Sequence, residues 1–155
     1  GHVAHDCLVG NDTILSHGTT LGGHVDVDDF ATLGGYVGIH QFCRVGTLAM
    51  MQGGAAISKD LPPFTVAVGT NEICGLNSIG LRRAGLPSEE RLELKRLYHA
   101  LFRSGQNFRA AVADAQTKFT GGPARTMLEF VAAAKRGVAT DVSGGAGPES
   151  EAENG

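Results

Sequence analysis

A six-residue period across residues 3–61 limits this chain to very few folds. Counting every sixth residue from Val3 gives Val3, Val9, Leu15, Leu21, Val27, Leu33, Ile39, Val45, Met51 and Ile57, all aliphatic or methionine. Four residues after each comes Cys7, Thr13, Thr19, Val25, Ala31, Val37, Cys43, Ala49, Ala55 and Leu61, mostly small or β-branched. An amphipathic helix repeats every 3.6 residues and a half-buried strand every two, so neither produces this spacing. A solenoid of short flat strands joined by tight corners does. The aliphatic fills the interior and the small residue that follows it (Ala4, Gly10, Ser16, Gly22) is expected to turn the corner. Cys7 and Cys43 occupy the second internal position, which makes them packing residues rather than nucleophiles.

The period stops at Lys59-Asp60-Leu61-Pro62-Pro63, where paired prolines mark an exit. Residues 63–76 read as an extended connection and residues 77–137 as helical. Ser88 is placed as an N-cap, with Glu89 and Glu90 in the first turn. Leu94, Leu97, Tyr98, Leu101 and Phe102 form one apolar stripe at helical spacing. Phe108, Ala111, Val112, Ala115 and Phe119 form a second, and Met127, Phe130, Val131 and Ala134 a third. From Val138 onward the Gly/Ser/Glu composition offers nothing to bury, so residues 138–155 are expected to be a disordered acidic tail.

Charge is unevenly spread behind a net value of −3. Residues 63–137 carry eleven Lys/Arg against six acids, which suits either an acidic partner or a solvated helical face. No nucleic-acid partner is expected. No apolar run is long enough to span a bilayer. The three cysteines make neither a close pair nor a CxxC motif, which points to a reducing compartment and a cytoplasmic location.

The period resembles that of hexapeptide-repeat transferases, which implies a β-solenoid, a left-handed parallel β-helix, followed here by a small α-helical C-terminal domain. In that family three hexads make one coil, so eighteen residues separate stacked positions. His5, Gly23 and Gln41 then share one position in successive coils, ~4.8 Å apart. His24 follows Gly23, His40 precedes Gln41, and His2 lies just ahead. Four of the six histidines thus gather on one edge, while His17 falls on another with Gly35 and Gly53. Converging histidines serve as a general base or as metal ligands.

The resemblance narrows further. Gly1-His2-Val3-Ala4-His5-Asp6-Cys7, Gly23-His24-Val25, Asp28-Asp29-Phe30 and His40-Gln41-Phe42-Cys43 are similar, in order and spacing, to the UDP-N-acetylglucosamine O-acyltransferases of lipid A biosynthesis. Asp60-Leu61-Pro62-Pro63, Asn77, Gly80-Leu81-Arg82-Arg83 and Arg103-Ser104-Gly105 continue the likeness over residues 1–137. It implies transfer of a 3-hydroxyacyl chain from acyl carrier protein to the 3-hydroxyl of UDP-N-acetylglucosamine by a homotrimer, with no cofactor and no metal. It implies His5 as general base, Asp6 as the group orienting it, and the Gly23 N–H as oxyanion donor. His2, His24, His40 and Gln41 match positions around the substrates. Asn77 and Arg83 match nucleotide and phosphate contacts, and Gly53 matches the position setting acyl length, where glycine suggests a longer chain. The family carries about as many residues again upstream, so further coils are expected before Gly1, and this piece alone is expected to be weakly active or inactive. Other readings are the sister N-acyltransferase of the same pathway, a zinc protein like the gamma-type carbonic anhydrases, and a non-catalytic trimeric scaffold.

Overall fold

The computed structural model describes residues 1–143. Ten two-residue strands recur every six residues: β1 (His2–Val3), β2 (Leu8–Val9), β3 (Ile14–Leu15), β4 (Thr20–Leu21), β5 (Asp26–Val27), β6 (Thr32–Leu33), β7 (Gly38–Ile39), β8 (Arg44–Val45), β9 (Met50–Met51) and β10 (Ala56–Ile57). They sort into three parallel sheets, in orders β1-β4-β7-β10, β2-β5-β8 and β3-β6-β9. Register is constant at eighteen residues, with Val3 opposite Leu21, Val9 opposite Val27 and Val27 opposite Val45. The chain is therefore a three-faced β-solenoid with three hexads to a coil. Its periodic aliphatics are the core: Leu21, Val27, Leu33, Ile39, Val45, Met51 and Ile57 are buried. Each such side chain contributes roughly 1.5–3 kcal/mol by leaving water. Val9 departs from the expectation that it lies inside with Val27 and Val45. It lies opposite Val27 but is 40% exposed.

The corners differ from the sequence reading. Positive φ recurs at Asp6, Asp12, Gly18, His24, Phe30, Tyr36, Phe42, Leu48 and Gly54, three residues after each interior aliphatic. The small residue directly after the aliphatic does something else, which is to let coils approach. A Cβ on Gly10, Gly22, Gly34 or Gly46 would lie within 2.8 Å of backbone in the next coil. A left-handed conformation costs a non-glycine residue on the order of 1–2 kcal/mol. Stacking offsets it, because from His24 onward each such N–H donates to a carbonyl of the preceding coil at 2.9–3.2 Å.

The stack continues past the paired prolines with a shortened register. Leu61 lies opposite Val45, and β11 (Thr65–Val68) stacks on β9 with Val66 opposite Met50. Strand β12 (Glu72–Leu76) turns back antiparallel to β11. Helices follow: α1 (Ser78–Arg83), α2 (Ser88–Tyr98), α3 (Phe108–Lys118) and α4 (Gly122–Ala132). Their apolar stripes face the core, with Phe108, Phe119 and Ala134 only partly buried, and a π-helical turn at His99–Arg103 keeps Leu101 and Phe102 facing inward. Ser88 is not a cap. Pro87 flanks α2, with no side-chain cap bond.

Residues 138–143 are ordered, contrary to the disorder expected from Val138 onward. Val138 and Ala139 are buried, and β13 (Thr140–Asp141) pairs with β12. The buried Asp141 carboxylate holds this segment, accepting from Tyr98 Oη and, at 3.2 Å, from Arg103 Nε. Burial first, and then that hydrogen bond, push the Tyr98 hydroxyl pKa upward. Composition concealed this, because one buried carboxylate with matched donors orders a segment that lacks large apolar residues. The rest of the expected tail, residues 144–155, lies outside the described residues.

Candidate functional site

The corner between the β1-β4-β7-β10 and β2-β5-β8 sheets stacks Asp6, His24 and Phe42, all with positive φ. His24 N donates to His5 O at 3.1 Å and Phe42 N to Gly23 O at 3.0 Å, so successive coils hold this column in place. His5 Nδ1 lies 3.1 Å from Asp6 Oδ2, and His24 Nε2 lies 3.8 Å from the same oxygen. The His5 and His24 rings meet edge to face at 5.1 Å, while His24 stacks on Phe42 at 4.8 Å with 1° between planes. The hydrogen bond with His5, and then the nearby His24, hold the Asp6 carboxyl below its ordinary 3.8.

Gly23 is buried beneath this pair. A Cβ there would come within 3.1 Å of His5 Cε1 and Nε2, so glycine leaves the space the imidazole occupies. The Gly23 N–H has no acceptor among the described residues. An ionised carboxylate on Nδ1 leaves Nε2 free to take a proton, and an N–H without a partner can meet a developing oxyanion.

Two depressions flank the corner. An open groove of about 540 Å³ crosses the β1-β4-β7-β10 sheet, with Gly23, His40 and Gln41 at its wall and the small residues Gly38 and Ala56 within it. A second, of about 440 Å³, lies beside Asp6, His24 and Phe42 and is lined by Arg44, Lys135 and Arg136. Arg136 reaches across from beyond α4, with one guanidinium nitrogen 3.3 Å from His40 Nδ1. His2 is exposed on β1.

Seven residues singled out in the sequence (His2, His5, Asp6, Gly23, His24, His40 and Gln41) thus lie along one sheet and its edge. Three do not join them within this chain. Gly53 stacks over Gly35 on the opposite edge of that sheet, at the corner carrying His17 and Tyr36. Asn77 caps α1, accepting from Gly80 N at 3.1 Å and donating to Leu48 O at 3.0 Å. Arg83 is exposed near the end of α1, with no ion pair among the described residues. Sequence reading missed Phe42 and Arg136. Phe42 was within reach, since it lies eighteen residues after His24. Arg136 gave no signal, because its contact spans ninety-six residues.

His5, Asp6 and His24 also each offer a ligand atom within 4.8 Å of the others, a set able to hold a divalent cation. No described helix is long and apolar enough to cross a membrane.

Comparison with known proteins adds independent findings. The family model described as Udp N-acetylglucosamine O-acyltransferase, Domain 2, matches residues 60–139. The acyl-[acyl-carrier-protein]--UDP-N-acetylglucosamine O-acyltransferase of Janthinobacterium sp. (strain Marseille) is 41% identical over 143 residues, covering 88% of this chain and 55% of that protein. The enzyme of the same name from Aliarcobacter butzleri (strain RM4018) is 38% identical over 138 residues, covering 88% and 53%. The solved UDP-N-acetylglucosamine acyltransferase from Campylobacter jejuni superposes with a TM-score of 0.84 at 36% identity, over 90% of this chain and 55% of that one. The Francisella novicida enzyme gives 0.85 at 32% identity, over 94% and 54%. The chain spans about half the length of the curated relatives it matches.

Proposed function

The chain belongs to the UDP-N-acetylglucosamine O-acyltransferase family, and we propose that it carries the acyl-transfer corner of such an enzyme. The reaction is movement of a 3-hydroxyacyl chain from acyl carrier protein to the 3-hydroxyl of UDP-N-acetylglucosamine, the first step of lipid A biosynthesis, in the cytoplasm and without a cofactor. The observation that carries this reading is the His5–Asp6 pair seated over Gly23.

In this mechanism Asp6 accepts the Nδ1–H of His5, which fixes the tautomer that presents a bare Nε2. Nε2 takes the proton of the sugar hydroxyl as its oxygen attacks the thioester carbonyl. The Gly23 N–H stabilises the resulting oxyanion. The C–S bond then breaks, and the imidazolium returns the proton to the departing sulfur. A positioned base is worth on the order of 10²–10⁴ in rate, and one oxyanion donor about 10²–10³. His2, His24, His40 and Gln41 line the substrate path. Gly53, supplied by a neighbouring copy, leaves the end of the acyl path open to a longer chain.

Gly53, Asn77 and Arg83 are remote from His5 within one chain, so this reading needs a neighbouring copy to bring them to the corner. A cyclic homotrimer does so. Asn77 and the Arg83 guanidinium then face the nucleotide and its diphosphate. The outward apolar side chains Leu8, Ile14, Phe30 and Tyr36 give such copies a surface to bury. The left-handed winding, the coil domain over residues 1–62, the connection over 63–76 and a separate helical domain over 77–137 belong to the same proposal.

The test is acyl transfer by the intact protein. His5→Ala is expected to lose about 10²–10⁴ in kcat with the fold unchanged, since an exposed corner leaves no cavity. Asp6→Ala loses less, and His17→Ala, on another corner, least. Retention of more than about a tenth of kcat by the His5 variant sinks the mechanism. A monomer by light scattering sinks the assembly.

A further inference from the structure

We infer that His5, Asp6 and His24 together form a binding site for a zinc-class divalent cation, and that an ion held there switches off the base. Only the second half rests on the function proposed above.

The geometry is close to what such an ion needs. Asp6 Oδ2 lies 3.1 Å from His5 Nδ1 and 3.8 Å from His24 Nε2, and one ligand atom of each residue falls within 4.8 Å of the others. Tetrahedral zinc at roughly 2.0–2.2 Å from each ligand sets ligand–ligand separations of about 3.3 Å. Two contacts are already near that value. The remaining adjustment is a rotation of side chains that are 75%, 69% and 44% exposed. Two imidazoles and a carboxylate are a donor set zinc favours, and exposure leaves its fourth position to water.

The scaffold reduces the ordering cost. Asp6 and His24 come from successive coils, both at left-handed corner positions, and the His24 N–H tethers one corner to the other at 3.1 Å. Phe42, stacked parallel on His24, limits the tilting of that ring.

The consequence for chemistry follows from the imidazole itself. The ion displaces the proton that Nδ1 shares with Asp6, and the ring takes one proton from solvent on Nε2 in exchange, so it stays neutral with no net proton released. A neutral imidazole ligated through Nδ1 carries its single proton on Nε2. Nε2 then has no lone pair to accept the sugar hydroxyl proton, and Asp6 is occupied by the cation. Base and cation exclude each other.

Zinc titration calorimetry on the full chain tests the site. One ion per chain is expected, with affinity falling at least about tenfold (~1.4 kcal/mol) in each of His5→Ala, Asp6→Ala and His24→Ala. His17→Ala and His40→Ala are expected to bind as the parent does. Absence of binding at about millimolar zinc, or binding indifferent to all three substitutions, overturns the site. Cobalt absorption reports coordination independently of any enzyme assay. In the intact enzyme, zinc is expected to lower kcat and a chelator to restore it. Binding without loss of turnover overturns the switch while leaving the site. Lack of transfer by the metal-free intact enzyme overturns the proposed function instead, and the calorimetric result stands apart from it.

Discussion

Gly23 lies directly under the His5 imidazole, where an added Cβ would come within 3.1 Å of both Cε1 and Nε2. That contact is too tight to keep, and the exposed ring is what gives way. Gly23→Ala therefore rotates His5 off its 3.1 Å contact with Asp6. A displaced base costs on the order of 10²-fold in rate when it moves about 1 Å, so kcat is expected to fall about ten- to a hundredfold. Gly23 has no positive φ, and alanine there also restricts the unfolded chain. Thermal stability is expected to hold. Steady-state kinetics beside a melting curve check both parts, and a variant with parental kcat would show that His5 does not depend on this space.

Asp6 should titrate below its ordinary 3.8, because His5 donates to it and His24 lies close by. The sign follows from which form is favoured. A lowered carboxyl pKa means the folded corner prefers the ionised form, so the His5–Asp6 contact is complete above 3.8 and is lost as pH falls through the lower folded value. Carboxyl ¹³C chemical shifts measure this directly. In His5→Ala the midpoint is expected to rise toward 3.8, since the largest cause of the shift is gone. A midpoint unchanged by that substitution would remove the hydrogen bond as the cause.

The fold was legible where one residue answers to one periodic demand. Val27 and Val45 are interior because their period says so, and the histidine column follows once eighteen residues make a coil. The corners were harder. Phe30, Tyr36, Phe42 and Leu48 all hold positive φ, a conformation that side-chain type would argue against and only stacked hydrogen bonds permit. Order at residues 138–143 was hidden for a similar reason, since it rests on Tyr98 and Arg103 meeting Asp141 across some forty residues. At the site, the family resemblance singled out His5 and Asp6, whose contact needs only neighbouring residues, while the Arg136–His40 contact exists only in three dimensions.

Close coil approach predicts a contrast between two glycines. A Cβ on Gly46 would lie 2.4 Å from Pro63 N, which is rigid backbone of the shortened fourth coil, whereas one on Gly38 meets nothing within 4 Å. Gly46→Ala must separate two coils or distort a proline, and overpacking of this kind costs about 1–3 kcal/mol or more. Gly38→Ala is expected to be neutral or stabilising by up to about 1 kcal/mol. Denaturant titrations of the two variants give the comparison. Equal stabilities would mean that the coils are looser than their hydrogen bonds imply.

The last prediction concerns what ties the helices to the solenoid. Asp60 is only 2% exposed, and its carboxylate accepts from Arg44 N at 2.9 Å and Arg44 Nε at 3.1 Å. The same guanidinium donates to Phe130 O at 2.8 Å and lies 4.0 Å over the Phe130 ring, so one side chain joins β8, the coil exit and α4. Arg44→Met keeps the aliphatic stem and removes the charge, leaving a buried carboxylate with one backbone donor and the Phe130 carbonyl without that guanidinium. Breaking one side of a buried pair costs about 3–5 kcal/mol, and the surviving backbone bond places the expected loss near ~3 kcal/mol. Removing both charges, in Arg44→Met with Asp60→Leu, should recover part of that loss, because no unpaired charge remains. Hydrogen exchange locates the effect. Protection is expected to drop in α4 and around residues 137–139, which bond to Asp60 through the backbone, and to persist in β4 to β9. A uniform loss of protection across all coils would mean that Arg44 supports the solenoid as a whole rather than the attachment of its helices.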